Sequence, residues 1–281
     1  MRHTTSTRLQ AQQPLDELRA LAEQGDAGAQ YHLASRYSVC IGVPQDDGEA
    51  VRWYRLAADQ GHAAAQFNLG VMYGNGEGVP QDYAESARWY QLAAEQGHSA
   101  AQFNLGVMNQ IGQGVPQDAA EAVRWSRQAA EQGNADAQGN LGAMFDNGEG
   151  VPQDYVEAVR WYRLAAAQGD AFAQFNLGRM HRDGHGVPQD YAEAVQWFRP
   201  AAYQGHVTAQ RQLGVMYATG QGVPQDYVEA HMWANLAAAQ SSGETRNTYV
   251  RGRDALAAQM TPAQIAEAQR RAPEWTPTAK P

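Results

Sequence analysis

The chain has 281 residues, of which 28 are glycine and 18% are charged, against a usual charged fraction of ~25%. A formal charge of −9 and an isoelectric point near 5.3 disfavour a nucleic-acid or anionic-membrane partner. One cysteine, Cys40, excludes a disulfide framework and a cysteine-rich metal site.

Periodicity organises everything else. Pro44, Pro80, Pro116, Pro152, Pro188 and Pro224 fall 36 residues apart, and Trp53, Trp89, Trp125, Trp161, Trp197 and Trp233 keep the same step. A fixed period of this length marks an array of stacked units.

In chain order, Met1 to Pro14 is polar and lacks the apolar core of a secretory signal. No apolar run approaches the ~18 residues of a membrane span. A cytoplasmic protein without membrane insertion is expected. Pro14 to Gln24 reads as a lone helix, and residues 1–25 as an N-terminal cap.

Residues 26–241 hold six repeats. In the second, Ala65, Leu69, Met72 and Tyr73 form a helical stripe. Ala87, Trp89, Tyr90, Ala93 and Ala94 also recur at helical spacing, so each repeat is a helix hairpin. Asp82 with Glu85 predicts a capping box, repeated at Asp46/Glu49, Asp118/Glu121, Asp154/Glu157, Asp190/Glu193 and Asp226/Glu229. That role accounts for a ladder of acids that could otherwise pass for an active site. Gly61, Gly97, Gly133, Gly169 and Gly205 stand at the left-handed stop of the first five second helices, and Ser241 takes that position in the sixth. Gly76 and Gly78 turn the chain between the two helices. Gly70, Gly106, Gly142, Gly178 and Gly214 sit mid-helix, where glycine costs up to ~1 kcal/mol, and predict the close passage of a neighbouring helix. The tryptophans are expected in the core. Pro200 inside a second helix predicts a kink near Gln196.

Residues 242–272 read as C-terminal capping helices, the second opened by Thr261-Pro262, and residues 273–281 as a disordered tail.

The unit AQ-x-x-LG-x-M-Y-x-x-G-x-GVPQD-Y-x-EA-x-x-W-Y-x-x-AA-x-QG resembles the Sel-one-like repeat (SLR) family, relatives of tetratricopeptide repeats. The resemblance implies an all-α, right-handed α/α superhelical solenoid serving as a protein–protein interaction scaffold, often in bacteria. Two other roles follow from the family: β-lactam binding or hydrolysis, or an exported effector that engages a host. The hydrolytic members are cysteine-rich, and this chain lacks their paired cysteines.

Comparison among the six copies separates fixed from varied positions. Phe67 corresponds to Tyr31, Phe103, Gly139, Phe175 and Arg211; Val71 to Ser35, Val107, Ala143, Arg179 and Val215; Gly74 to Ser38, Gln110, Asp146, Arg182 and Ala218. By analogy with tetratricopeptide repeats this side lines a concave groove. There Asn68, Asn104, Asn140 and Asn176 match the family position that hydrogen-bonds a bound peptide, since an amide both donates and accepts. The same asparagines could instead bond to adjacent helices and hold the stack in register. Phe67, Phe103 and Phe175 are candidate apolar contacts, and Arg179, Arg182 and Arg211 candidate partners for an acidic group. The Gln66 position, fixed in all copies, reads as structural.

No constellation points to an enzyme. His181 and His185 resemble a metal pair, but Gly184 interrupts their helical display. His62, His98 and His206 read as helix caps. Neither Ser126 nor Cys40 has an evident activating base. A monomer that binds a protein or peptide, without cofactor or metal, is expected.

Overall fold

The computed structural model describes residues 14–274; the expectations for Met1 to Gln13 and for residues 275–281 lie outside them. Fifteen helices and no strand occur among the described residues. They fall into two compact units that divide between Asn134 and Ala135.

The first unit holds α1 (Leu15–Glu23), then three hairpins: α2 (Ala27–Ser38) with α3 (Asp47–Asp59), α4 (Ala63–Asn75) with α5 (Tyr83–Glu95), and α6 (Ser99–Ile111) with α7 (Ala119–Glu131). The second holds α8 (Ala135–Asn147) with α9 (Tyr155–Ala167), α10 (Ala171–Asp183) with α11 (Tyr191–Tyr203), and α12 (Val207–Thr219) with α13 (Tyr227–Ala239). It ends with α14 (Gly243–Ala257) and α15 (Pro262–Glu274). Helix α15 thus extends two residues into the segment expected as tail. Its last turn follows from a well-made start at Thr261 and from burial of Ala268 and Ala272.

The second-helix start is only half the expected box. Asp82 accepts from the Ala84 and Glu85 amides at 2.9 and 3.1 Å, a cap worth ~0.5–2 kcal/mol. Glu85 does not reach back. The Asp82 amide already donates to the Tyr73 carbonyl at 2.9 Å, so the glutamate turns to Arg88 instead, at 3.1 Å. That arginine lies over the ring of Trp89, 5.1 Å from its centre. The same Glu–Arg–Trp stack recurs at Glu49/Arg52/Trp53, Glu121/Arg124/Trp125 and Glu157/Arg160/Trp161. In the sixth repeat Met232 replaces the arginine, and Arg271 of α15 takes Glu229 at 2.9 Å. The reciprocal box does form once, at Thr261 and Gln264, each side chain accepting from the other's amide.

Loops are fixed by close approach. A methyl group on Gly78, where φ is +68°, would sit 2.3 Å from the Asp47 carbonyl oxygen of the preceding repeat. The loops at Gly114, Gly186 and Gly222 rest in the same way on the Tyr83, Tyr155 and Tyr191 carbonyls at the start of the preceding repeat's second helix. Five of the six repeat tryptophans are buried, and Trp197 is half-buried. Helix α11 runs through Pro200 and keeps the 13 residues of its counterparts, with the Gln204 amide bonding to the Pro200 carbonyl at 3.2 Å.

The polar core is a glutamine ladder. Gln66 donates to the Ala58 carbonyl of the preceding repeat at 3.0 Å and accepts from Gln96 of its own at 2.7 Å. Gln102 repeats this with Ala94 and Gln132, Gln174 with Ala166 and Gln204, and Gln210 with Ala202 and Gln240. Burying these amides is tolerable because both ends are satisfied. The structural reading of the Gln66 position holds.

Candidate functional site

The first helix of each repeat carries the varied positions, and its start fixes how they lie. His62, His98 and His206 cap α4, α6 and α12, each Nδ1 accepting an amide three residues on at 3.2–3.3 Å. Asp26 and Asp170 do the same for α2 and α10 at 2.7 and 2.6 Å. Burial pushes these three histidines below the ordinary imidazole value, which keeps Nδ1 able to accept.

The histidine rings have a second use. His98 stacks on Phe67 at 4.7 Å and His206 on Phe175 at 4.6 Å, as His62 does on Tyr31. Phe67 and Phe175 also meet Tyr90 and Phe198 of their own repeats at 5.7 Å. Two of the three candidate phenylalanines therefore lie in inter-repeat stacks. The third repeat has Ser126 and Asn134 at the positions where the repeats of Phe67 and Phe175 supply rings, and Phe103 is half-buried.

The asparagines divide similarly. Asn68 lies beside the Tyr54 hydroxyl of the preceding repeat, and Asn104 beside that of Tyr90. Burial pushes the Tyr54 phenol up to about 12, and that of Tyr90 upward too. Asn176 is buried and donates to the Phe172 carbonyl at 3.0 Å. Asn140 is half-buried on α8.

Arg179 has its own carboxylate. It forms an ion pair with Asp146 of α8, which is 6% exposed and also accepts from the Tyr162 hydroxyl at 3.3 Å. Arg179 Nε lies 3.4 Å from Asn176 Oδ1. Burial first, and then the Asp146 charge, push the Tyr162 phenol well above its usual range. Arg182 forks onto Asp183 at 2.7 and 2.8 Å and holds that carboxyl below its usual value. Arg211 is different: it is exposed and lies over the Tyr249 ring, 5.8 Å from its centre. Of the three arginines it alone forms no ion pair among the described residues.

The remaining candidates have structural surroundings. His185 stacks on Tyr155 at 4.5 Å, while His181 is buried before the left-handed cap at Gly184. No group of three or more metal-ligating side chains occurs among the described residues. Ser126 is fully buried, and Cys40 is exposed at a left-handed position, φ 58°. No described helix is long and apolar enough to cross a membrane.

The family model for the Sel1 repeat matches residues 27–62, 63–98, 99–134, 135–170, 171–206 and 207–242. A solved protective antigen of uropathogenic Escherichia coli displaying an SLR fold is 40% identical, with a TM-score of 0.82 over 93% of this chain. This chain spans 56% of that protein's length. A Sel1 repeat protein from Oxalobacter formigenes is 34% identical, with a TM-score of 0.69, over 79% of this chain and 87% of the other. No curated protein matches the chain.

Proposed function

The chain belongs to the Sel1 repeat family, and on that premise we propose that it is an interaction scaffold binding a protein or peptide along its first helices. One contrast carries this reading. Positions that repeat without change, such as Gln66, Leu69 and the Asp82 cap, are consumed by the ladder, the core and the caps. The varied positions Phe103, Val71, Val107, Arg211 and Val215 on the same helices are half-buried or exposed. A framework that is satisfied internally beside a face that differs from repeat to repeat suits recognition rather than chemistry. Asn68 and Asn104, placed beside Tyr54 and Tyr90 of the preceding repeats, favour the register role, so Phe103 and Arg211 carry more of the binding than the asparagines do.

The test is affinity capture from native lysate with three forms of the chain, each checked for folding by circular dichroism. Val71→Glu/Val107→Glu alters the first-helix face; Leu56→Glu/Leu92→Glu is a matched control on exposed second-helix sites. A stoichiometric partner lost only with the first pair supports the reading. A partner lost only with the second pair places recognition on the other face. Turnover of a chromogenic β-lactam at an enzymatic rate would overturn the scaffold in favour of a hydrolase.

A further inference from the structure

Four of the six second helices press a ring against their partner helix: Tyr54, Tyr90, Tyr162 and Phe198. At Gly70, Gly142 and Gly178 the ring is so close that a methyl group would lie 2.7, 2.7 and 2.5 Å from it. The sixth repeat keeps the glycine, Gly214, but has Ala234 where the ring should be. The atoms nearest to a methyl group on Gly214 would be the Ala230 carbonyl oxygen at 3.2 Å, the Ala234 amide at 3.5 Å and Trp233 Cβ at 3.7 Å, none of them a ring atom.

The space is not refilled. A pocket of about 340 Å³ lies there between α12, α13 and α14. A cavity of roughly 150 Å³ already holds benzene. Its third wall does not close it either, since a methyl group on Gly252 would meet nothing within 4 Å. The pocket also gathers all three varied positions of this repeat: Arg211, Val215 and Ala218. Arg253 at its edge is held by Asp254 at 2.7 Å and by Asn235 at 3.1 Å. Arg211 therefore offers a guanidinium without a carboxylate, on a chain of charge −9.

We propose that this vacancy is a docking slot for the aromatic side chain of an acidic peptide. The ring occupies over Gly214 the place that Tyr162 occupies over Gly142, and an adjacent carboxylate pairs with Arg211. Arginine suits that pairing through its two parallel donors, and an aromatic ring in an apolar pocket is the usual anchor of such contacts. A peptide fits better than a free aromatic acid, because Arg211 and Val215 in the pocket lining are themselves exposed on the first helix, where the scaffold reading places the partner. The inference rests on the scaffold reading and names one contact within it.

The test is fluorescence anisotropy of the full chain with a fluorescein-labelled peptide, Gly-Asp-Phe-Asp-Gly, and with versions carrying Ala for Phe or Lys for both Asp. Ala234→Tyr restores the missing ring from within; Gly252→Leu plugs the slot from α14 should Ala234→Tyr fail to fold. The expected result is binding weakened about tenfold or more by the Phe replacement and by either plug. Arg211→Glu and the Lys peptide should each weaken it, with a loss of salt dependence. Equal binding of the Phe and Ala peptides, unchanged binding by a folded plugged variant, or no binding at all would overturn the slot. Phenylpropionate competing as tightly as the peptide would overturn the peptide and assign the slot to a free acid. Failure here leaves the lysate experiment standing, because its variants lie in α3 to α6, away from the pocket; failure there leaves this titration intact.

Discussion

The mid-helix glycines give a paired prediction whose sign depends on geometry alone. In Gly178→Ala the new Cβ lies 2.5 Å from Phe198 Cδ1 and 2.6 Å from Cε1. Ordinary contact begins near 3.4 Å, so the ring must retreat by nearly 1 Å. Phe198 is fully buried and packed on Phe175, and such overpacking costs ~1–3 kcal/mol. Replacing glycine by alanine in a helix returns up to ~1 kcal/mol. In Gly214→Ala the same return comes without a ring to displace. The two variants should therefore differ by roughly 1–3 kcal/mol, with Gly214→Ala the more stable. For a chain of this size that is a melting difference on the order of 2–12 °C, read by circular dichroism and checked by urea titration. A Gly178→Ala variant as stable as Gly214→Ala would refute both the clash and the vacancy over Gly214.

Three further outcomes follow from the same contacts. Gln102→Ala removes bonds to Ala94 and Gln132 and leaves a void, and should cost about 2 kcal/mol or more; a loss near that of a surface change would mean that the ladder does not hold the repeats. Asp146→Ala leaves Arg179 without its acid and should cost about 2–3 kcal/mol, whereas Asp146→Ala/Arg179→Val, which copies residues found at these positions in other repeats, should recover most of it in urea unfolding. Burial lowers the imidazole values of His62, His98, His206 and also His231, so the unfolded chain takes up protons first as pH falls past ~6.5. Their stabilisation is present above that value and is lost on acidification toward pH 5.5; a urea midpoint flat from pH 7.5 to 5.5 would contradict this.

The features legible in the sequence are those that recur at one position in several copies. The 36-residue step, the Asp82-type caps, the His62-type caps and the crowding at Gly70 all belong to this class. The rest depends on pairs of positions. Glu85 looked like half of a capping box because the use of the Asp82 amide by Tyr73 is a tertiary fact. Gln66 and Gln96 are each fixed, yet their bond joins two helices and has no local signature. Asp146 and Arg179 appeared as separate deviations from glycine and valine, and only their joint departure from the pattern could have signalled an ion pair. Ala234 replaces in a single copy the ring that four others carry, and recognising a slot there needed the distance from Gly142 to Tyr162.

Hydrogen–deuterium exchange on the chain with a purified captured partner tests the scaffold most directly. The account predicts slowed exchange in peptides from α4, α6 and α12, with α3, α5 and α7 little changed. Protection confined to the second helices, or to the loops that join them, would contradict it.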